Sequence, residues 1–393
     1  MPYDLVVAGG RVIDTTQGID QEMDVAVSGG RIAALAQPTT VLPAKRAINA
    51  AGKLVVPGLI DMHCHAYKGV TNLGLDPDVI GVRNGVTTIN DTGSSGAITF
   101  PGFRHFWIDR AATSVYCFLN LSSMGIITSL VGELKDLRLI DAEAIKATVD
   151  ANRDVIRGIK MRSNYSAVGP NGAEALRRAL EIAGELGLPV LVHIGETRPE
   201  LAEGGAVQIE SVLPVLRKGD ILAHVYTAKF GGVVSDDGTV SPLLKEAVER
   251  GVLLDVGHGI NNLSFKVVRM LRQEGIIADT ISSDVTANNR KGPVYDLLTT
   301  MSKFLALGFS LPEVIERTTL RPARALGLDG EIGSLKPSYR ADISILRVVD
   351  GQWKAADSEG EVLQAGLGLE PVLTVKAGTV YEPLLISRPY TQV

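Results

Sequence analysis

A chain of 393 residues is long enough for two or three domains, or for one large barrel with an accessory. Hydrophobic residues make up 45% and charged residues 21%, which excludes a disordered chain, and no run of about 18 apolar residues is present to cross a bilayer. Lys plus Arg (39) against Asp plus Glu (44) leaves a net charge of -5 with no basic block, so neither nucleic acid nor a membrane is an expected partner. Two cysteines, Cys64 and Cys117, are too few for a disulfide framework and lack zinc-site spacing. The first ten residues show no basic stretch followed by an apolar one, so a cytoplasmic enzyme acting on a small molecule is expected.

Residues 1–56 read as short strands at 4–8, 11–14, 24–28, 31–35 and 47–49, separated by Gly-Gly and Pro turn signals. From 57 to 330, apolar strand-like runs alternate with amphipathic helices, the pattern of a parallel sheet. Eight runs are read, at 59–65, 87–92, 115–121, 158–163, 189–195, 221–226, 252–259 and 280–285. An amphipathic stretch at 103–112 carries His105, read as a packed histidine. Asp141 is expected to cap a helix reaching Arg157. Asn171 with Glu174 reads as a capping box ahead of a helix at 175–186 that stops at Gly187, and Ser241-Pro242 opens a helix ending at Gly251. Strand candidates return at 341–346, 362–364 and 372–377. The expected fold class is α/β: a (β/α)8 TIM barrel over 57–330, close to the usual size of roughly 250 residues. Beside it, 1–56 and 331–393 are expected to form a small composite β-sandwich.

The chemistry-bearing residues fall near the C-terminal ends of these runs, where barrel enzymes place their active sites. They are His63, His65, Lys160, His193, His224, His258 and Asp284. From Lys160 onward the intervals are 33, 31, 34 and 26 residues, each about one strand-helix unit, so the residues converge on one mouth. His63 and His65 lie at i and i+2 on an extended run, which points both imidazoles to one side and Cys64 to the other, a geometry that can chelate a metal. Arg162 follows Lys160 by two and shares its side, as a ligand for a substrate carboxylate or one half of an outward salt bridge. Tyr226, two beyond His224, is a second substrate-binding candidate, and Asn261, Asn262, Asn288 and Asn289 occupy loops at the same face.

The segments Pro57-Gly58-Leu59-Ile60-Asp61-Met62-His63-Cys64-His65, Gly85-Val86-Thr87-Thr88, Arg321-Pro322-Ala323-Arg324-Ala325-Leu326-Gly327-Leu328 and Gly333-Ser334-Leu335-Lys336-Pro337, leading to Ala341-Asp342, resemble the amidohydrolase superfamily over essentially the whole chain. The resemblance implies a composite sandwich drawn from both termini. It implies two divalent ions, with zinc expected: His63, His65 and Asp284 would hold the buried ion, His193 and His224 the exposed one, and a carboxylated Lys160 would bridge them. An ammonium beside two cations is repelled, whereas its carbamate is an anionic oxygen ligand. The plainer alternative is a buried lysine paired with a carboxylate.

The implied reaction is metal-assisted hydrolysis, with a shared water supplying hydroxide to a carbonyl and Asp284 acting as general base, then acid. A helix cap is the plainer alternative for Asp284. The seventh strand gives no metal ligand in the family pattern, so His258 is expected to hydrogen-bond substrate. Tyr67 stands where the dihydroorotase pattern His-x-His-x-Arg keeps a carboxylate-binding arginine. The deacetylase-like branch, with Gly-Ile-Lys at 158–160 and His193-Ile194-Gly195-Glu196-Thr197, is the better resemblance. It implies hydrolysis of an amide or ester bond in a small, carboxylate-bearing compound. One alternative is a mononuclear purine or pyrimidine deaminase in which Glu196 protonates the ring. Another is a non-catalytic dihydropyrimidinase-like assembly protein, which retention of all six ligand positions opposes. Family habit implies a homo-oligomer.

Overall fold

The computed structural model describes residues 1–128, 131–198, 208–235 and 237–391. Both ends of the chain enter one eight-stranded sheet, in the order Thr379–Tyr381, Val362–Lys376, Ile343–Ala356, Leu54–Pro57, Leu5–Asp14, Ile19–Ser28 and Arg31–Ala36, with Ala47–Asn49 alongside Leu5–Asp14. The join is Leu54–Pro57, parallel to Leu5–Asp14 and antiparallel to Ile343–Ala356. It is buried on both faces. Val55 packs in the cluster of Val12 and Ile345, while Leu54 and Val56 join the large barrel cluster, the alternation a strand imposes.

Several terminal strands run longer than their sequence signals. Segments 4–8 and 11–14 are one strand because Gly9, at φ 68°, makes a bulge instead of a turn, its N–H donating to Asp24 Oδ1 at 2.7 Å. Segments 362–364 and 372–377 likewise belong to Val362–Lys376, which Ile343–Ala356 pairs along its length through two irregularities in register.

The second sheet is parallel, in the order Leu59–Cys64, Val86–Thr92, Ser114–Asn120, Ile156–Arg162, Val190–His193, Ile221–Ala223 and Leu253–Asp255. The eighth run, 280–285, is no regular strand. Isolated parallel bridges tie Thr280 to Asp255 and Val285 to Cys64, so the curled sheet returns to its first strand. Asp284, at φ 47°, interrupts the extended backbone, and the hydroxyls of Ser282 and Ser283 bond to Asp255 and Asp61.

Helix ends depart from expectation in two places. Asp141 caps Ala142–Ala151 by accepting from Ala144 N–H at 3.0 Å, but the helix stops there and Arg157 lies in the next strand. Asn171 makes no cap bond to Gly172–Leu186; its amide donates to the carbonyls of Leu134 and Lys135, and Glu174 pairs with Arg177 and Arg178. Ser241 and Pro242 do open the helix Pro242–Glu249. No described helix is long and apolar enough to cross a membrane.

The C-terminal segment is pinned to the barrel by Arg388, whose buried guanidinium donates to Asp296 at 2.7 Å and to Asn84 Oδ1. Asp296 also caps Leu297–Ala306 by accepting from Thr299 N–H. Removing the arginine strands a buried carboxylate. Arg388→Met should therefore lower the unfolding free energy by about 3–5 kcal/mol, with an unchanged m-value in urea titrations followed by circular dichroism. A loss below about 1 kcal/mol would show that the pair does not anchor the segment.

Candidate metal centre

The barrel mouth gathers His63, His65, Lys160, His193, His224 and Asp284. His63 and His65 leave the first barrel strand side by side, their ring centroids 6.1 Å apart. Asp255, at the end of the seventh strand, lies 3.0 Å from His63 Nδ1 and accepts the hydroxyls of Thr280 and Ser282, each at 2.6 Å. Burial pushes the Asp255 carboxyl upward, but His63 and the two hydroxyls outweigh it and hold the group below its ordinary value. His63 Nε2 is thereby turned toward Asp284 Oδ1, 3.9 Å away. His65 places Nδ1 2.8 Å from Ser94 Oγ and Nε2 3.3 Å from Asp284 Oδ1.

His224 Nδ1 sits 2.7 Å from the carbonyl of Gly257, so Nδ1 carries the proton and Nε2 has a free lone pair. That Nε2 faces His193 Nδ1 across 2.7 Å. Burial drives His63 and His193 down, and His224 down to about 3, so all three imidazoles are neutral near pH 7. Asp284 is lowered too, and so stays ionised. Burial alone would raise it, but the adjoining His63, His65 and His224 hold it well below the carboxylate range.

Backbone strain marks the same place. His224 and Asp284 are two of five described non-glycine residues at positive φ, 67° and 47°, conformations that persist only when their surroundings impose them. Gly257 is equally constrained: a methyl group there would stand 2.6 Å from His224 Nδ1 and 3.0 Å from His63 Nδ1.

Lys160 is 1% exposed, and its Nζ has no hydrogen-bond partner. Its stem lies under Gly93, where a Cβ would fall 2.5 Å from Lys160 Cγ. Burial pushes the ammonium down to about 7. Buried polar groups are nearly always satisfied, and neutral imidazoles with an ionised carboxylate are a donor set that fits a divalent cation, beside an amine with no other partner. Candidate ligand atoms of His63, His224 and Asp284 all lie within 4.8 Å of one another.

Because Asp255 orients His63 by a buried hydrogen bond, Asp255→Ala should weaken metal affinity about 10–100-fold without removing a ligand. Chelator competition on the metal-loaded protein measures this. An unchanged affinity would mean that packing alone orients the ring.

A cavity of about 430 Å³ opens above His63, His65, Lys160, His193 and Asp284. Asn261, Asn262, Asn288 and Asn289 line its rim as expected, together with Arg198. Arg162 also reaches the cavity, but both arms of its guanidinium bind Glu133, one at 2.6 Å, so it is an inward salt bridge and not a free anion site. Tyr226 is not brought to the cavity: its ring lies 6.0 Å from Phe304 and its hydroxyl accepts from Ala278 N–H. The sixth strand ends at Ala223 and His224 turns left-handed, so the two-residue alternation does not reach Tyr226. His258 is buried with Nδ1 bonded to the carbonyl of Gly259 and Nε2 to Lys303, leaving no ring nitrogen for substrate. The left-handed Gly257 and Gly259 on either side turn it away.

Residues 54–365 match the family described as "Amidohydrolase family". The chain belongs to the amidohydrolase family. With its candidate metal site, it is a metal-dependent amidohydrolase. A deacetylase of Agrobacterium fabrum is 33% identical over 350 residues, covering 88% of this chain and 84% of that protein. Two solved structures are similar throughout: an adenine deaminase at 32% identity and TM-score 0.88, covering 97% of this chain and 100% of its own, and a dihydroorotase at 30% and 0.86, covering 96% and 99%.

Asp255 and Arg198 were not singled out in sequence. Asp255 had a signal, a carboxylate ending an apolar run one unit before Asp284. Arg198 had none, because its role follows from a loop path.

Proposed function

We propose that this amidohydrolase is binuclear and hydrolyses an amide or ester bond of a small, carboxylate-bearing acyl compound, in the manner of a deacetylase. The observation that carries the reading is the buried, partnerless Nζ of Lys160 beside His63, His193 and His224, which as a carbamate would become a bridging anion. His63, His65 and Asp284 would hold one divalent ion, His193 and His224 the other, zinc being the proposed metal. When bound, the ions supply an acidified water and a Lewis acid for the carbonyl. Asp284, ionised at neutral pH, would accept the attacking water's proton and pass it to the leaving nitrogen or oxygen. Arg198 orients the substrate carboxylate: it lines the cavity and, among the described residues, its guanidinium pairs with no carboxylate, its Nη2 donating to Ser166 Oγ at 2.7 Å.

The likeness to an adenine deaminase favours ring deamination as a second reading. Against it, Glu196 does not line the cavity; its carboxylate accepts from Ser166 and from the Arg198 N–H at 2.9 Å. The test is to incubate zinc-loaded protein with N-acetyl and O-acetyl carboxylic acids and, separately, with adenine. Acetate release supports the deacetylase-like reading, and ammonia from adenine overturns it. We further propose that the terminal sheet, 1–56 and 331–393, is a composite β-sandwich beside the 57–330 barrel, in a cytoplasmic homo-oligomer.

A further inference from the structure

Lys303, on the helix Leu297–Ala306, is 1% exposed and has no ion-pair partner among the described residues. Its Nζ donates to two acceptors, His258 Nε2 at 2.6 Å and the carbonyl of Pro293 at 2.7 Å. The tautomer of His258 follows from its other bond. Nδ1 lies 2.7 Å from the carbonyl of Gly259, which can only accept, so Nδ1 carries the proton and Nε2 is left as the acceptor that an amine requires. A buried amine whose hydrogen-bond acceptors are both neutral is costly to keep charged, and burial pushes Lys303 down to about 7 against the pull of Asp357.

The two acceptors belong to different loops. His258 begins the loop after the seventh barrel strand, whose Ile260, Asn261 and Asn262 line the cavity; Pro293 lies in the neighbouring loop after the eighth run, whose Thr286, Asn288 and Asn289 also line it. Asp284 lies between them. A methyl at Gly259 would stand 2.5 Å from Asp284 Oδ2, and Asn289 Nδ2 donates to the Asp284 carbonyl at 2.9 Å. One side chain therefore ties two neighbouring cavity-lining loops together without lining the cavity itself.

We propose that Lys303 is a positioning residue that clasps these two loops, through His258 on one side and the Pro293 carbonyl on the other, and so holds their cavity-lining asparagines in place for substrate. This rests on the hydrolase reading only where turnover is the readout. In zinc-loaded enzyme, Lys303→Met should keep its metal content and raise KM for the acetylated acid at least about tenfold, while kcat changes less than about threefold. The double variant Lys303→Met/His258→Gln should be no worse than the worse single variant, since the pair acts as a unit. Hydrogen exchange should quicken in 257–262 and 286–293 and stay unchanged in the barrel strands.

An unchanged KM, additive losses, or faster exchange spread over the whole barrel would each overturn the clasp in favour of a merely structural lysine. If Lys303→Met does not fold, nitrogen-15 spectra of the wild-type histidines still decide: a proton on Nε2 of His258 overturns the proposal, and one on Nδ1 supports it. If wild type releases no acetate from any acyl substrate, the proposed function fails, while exchange and tautomer still test the clasp.

Discussion

Lys160→Ala should cost the enzyme its metal stoichiometry and its activity together. Elemental analysis of protein expressed in metal-supplemented medium is expected to give two equivalents for wild type and one or fewer for the variant. The accompanying fall in kcat/KM is about 10³-fold or more, the scale of the several kcal/mol of transition-state stabilisation that metal ions supply. The reason is local. Lys160 is sealed under Gly93, its Nζ has no protein acceptor, and burial already disfavours its ammonium form, so the fold leaves the amine free to react with carbon dioxide. On the proposed binuclear reading, alanine would remove the bridging carbamate and leave the His193–His224 pair to hold an ion with two neutral ligands. One equivalent in both proteins would remove the bridging role and turn attention to a mononuclear site.

Asp284→Asn is expected to lower kcat by about 10²–10⁴-fold, the span of general acid-base catalysis. The left-handed backbone at Asp284 and its contact with Gly259 leave an isosteric amide in place, whereas larger residues would collide. The loss should depend on the leaving group. Amides need a proton delivered to nitrogen and should suffer most, while esters of acidic phenols, which leave unprotonated, should suffer least. Because Asp284 is also a candidate metal ligand, metal content must be measured on the same sample. Full stoichiometry with activity within tenfold of wild type would exclude Asp284 as the proton carrier.

Much of the site was legible because barrel strands end on one rim and one strand-helix unit has nearly constant length. That regularity alone placed Lys160, His193, His224 and Asp284 together. The alternation rule that orients His63 and His65 works because Leu59–Cys64 is a real strand up to the first ligand. The same rule misled for Tyr226, where the short strand ends at Ala223 and left-handed His224 redirects the chain, while His258, expected at the substrate from the family pattern, is turned away by the left-handed Gly257 and Gly259. Arg162 was on the expected face, but its partner Glu133 comes from a loop 29 residues earlier, and loop paths leave no periodic signal. The terminal strands were found in outline but cut short, since Gly9 and Gly10 read as a turn where the backbone makes a bulge.

The way the termini share one sheet also orders events at the ribosome. Leu54–Pro57 pairs on one side with a strand made just before it and on the other with Ile343–Ala356, which emerges only after the whole barrel has been translated. At synthesis rates of about 5–20 residues per second, the apolar edge of Leu54–Pro57 waits roughly 15–60 s for its partner. During that interval it is an open β-edge of the kind that recruits foreign strands. The barrel segment is thus made before the sheet that joins its ends is complete, and a nascent chain stalled before residue 343 would present a template for aggregation even though every candidate metal ligand has already been made.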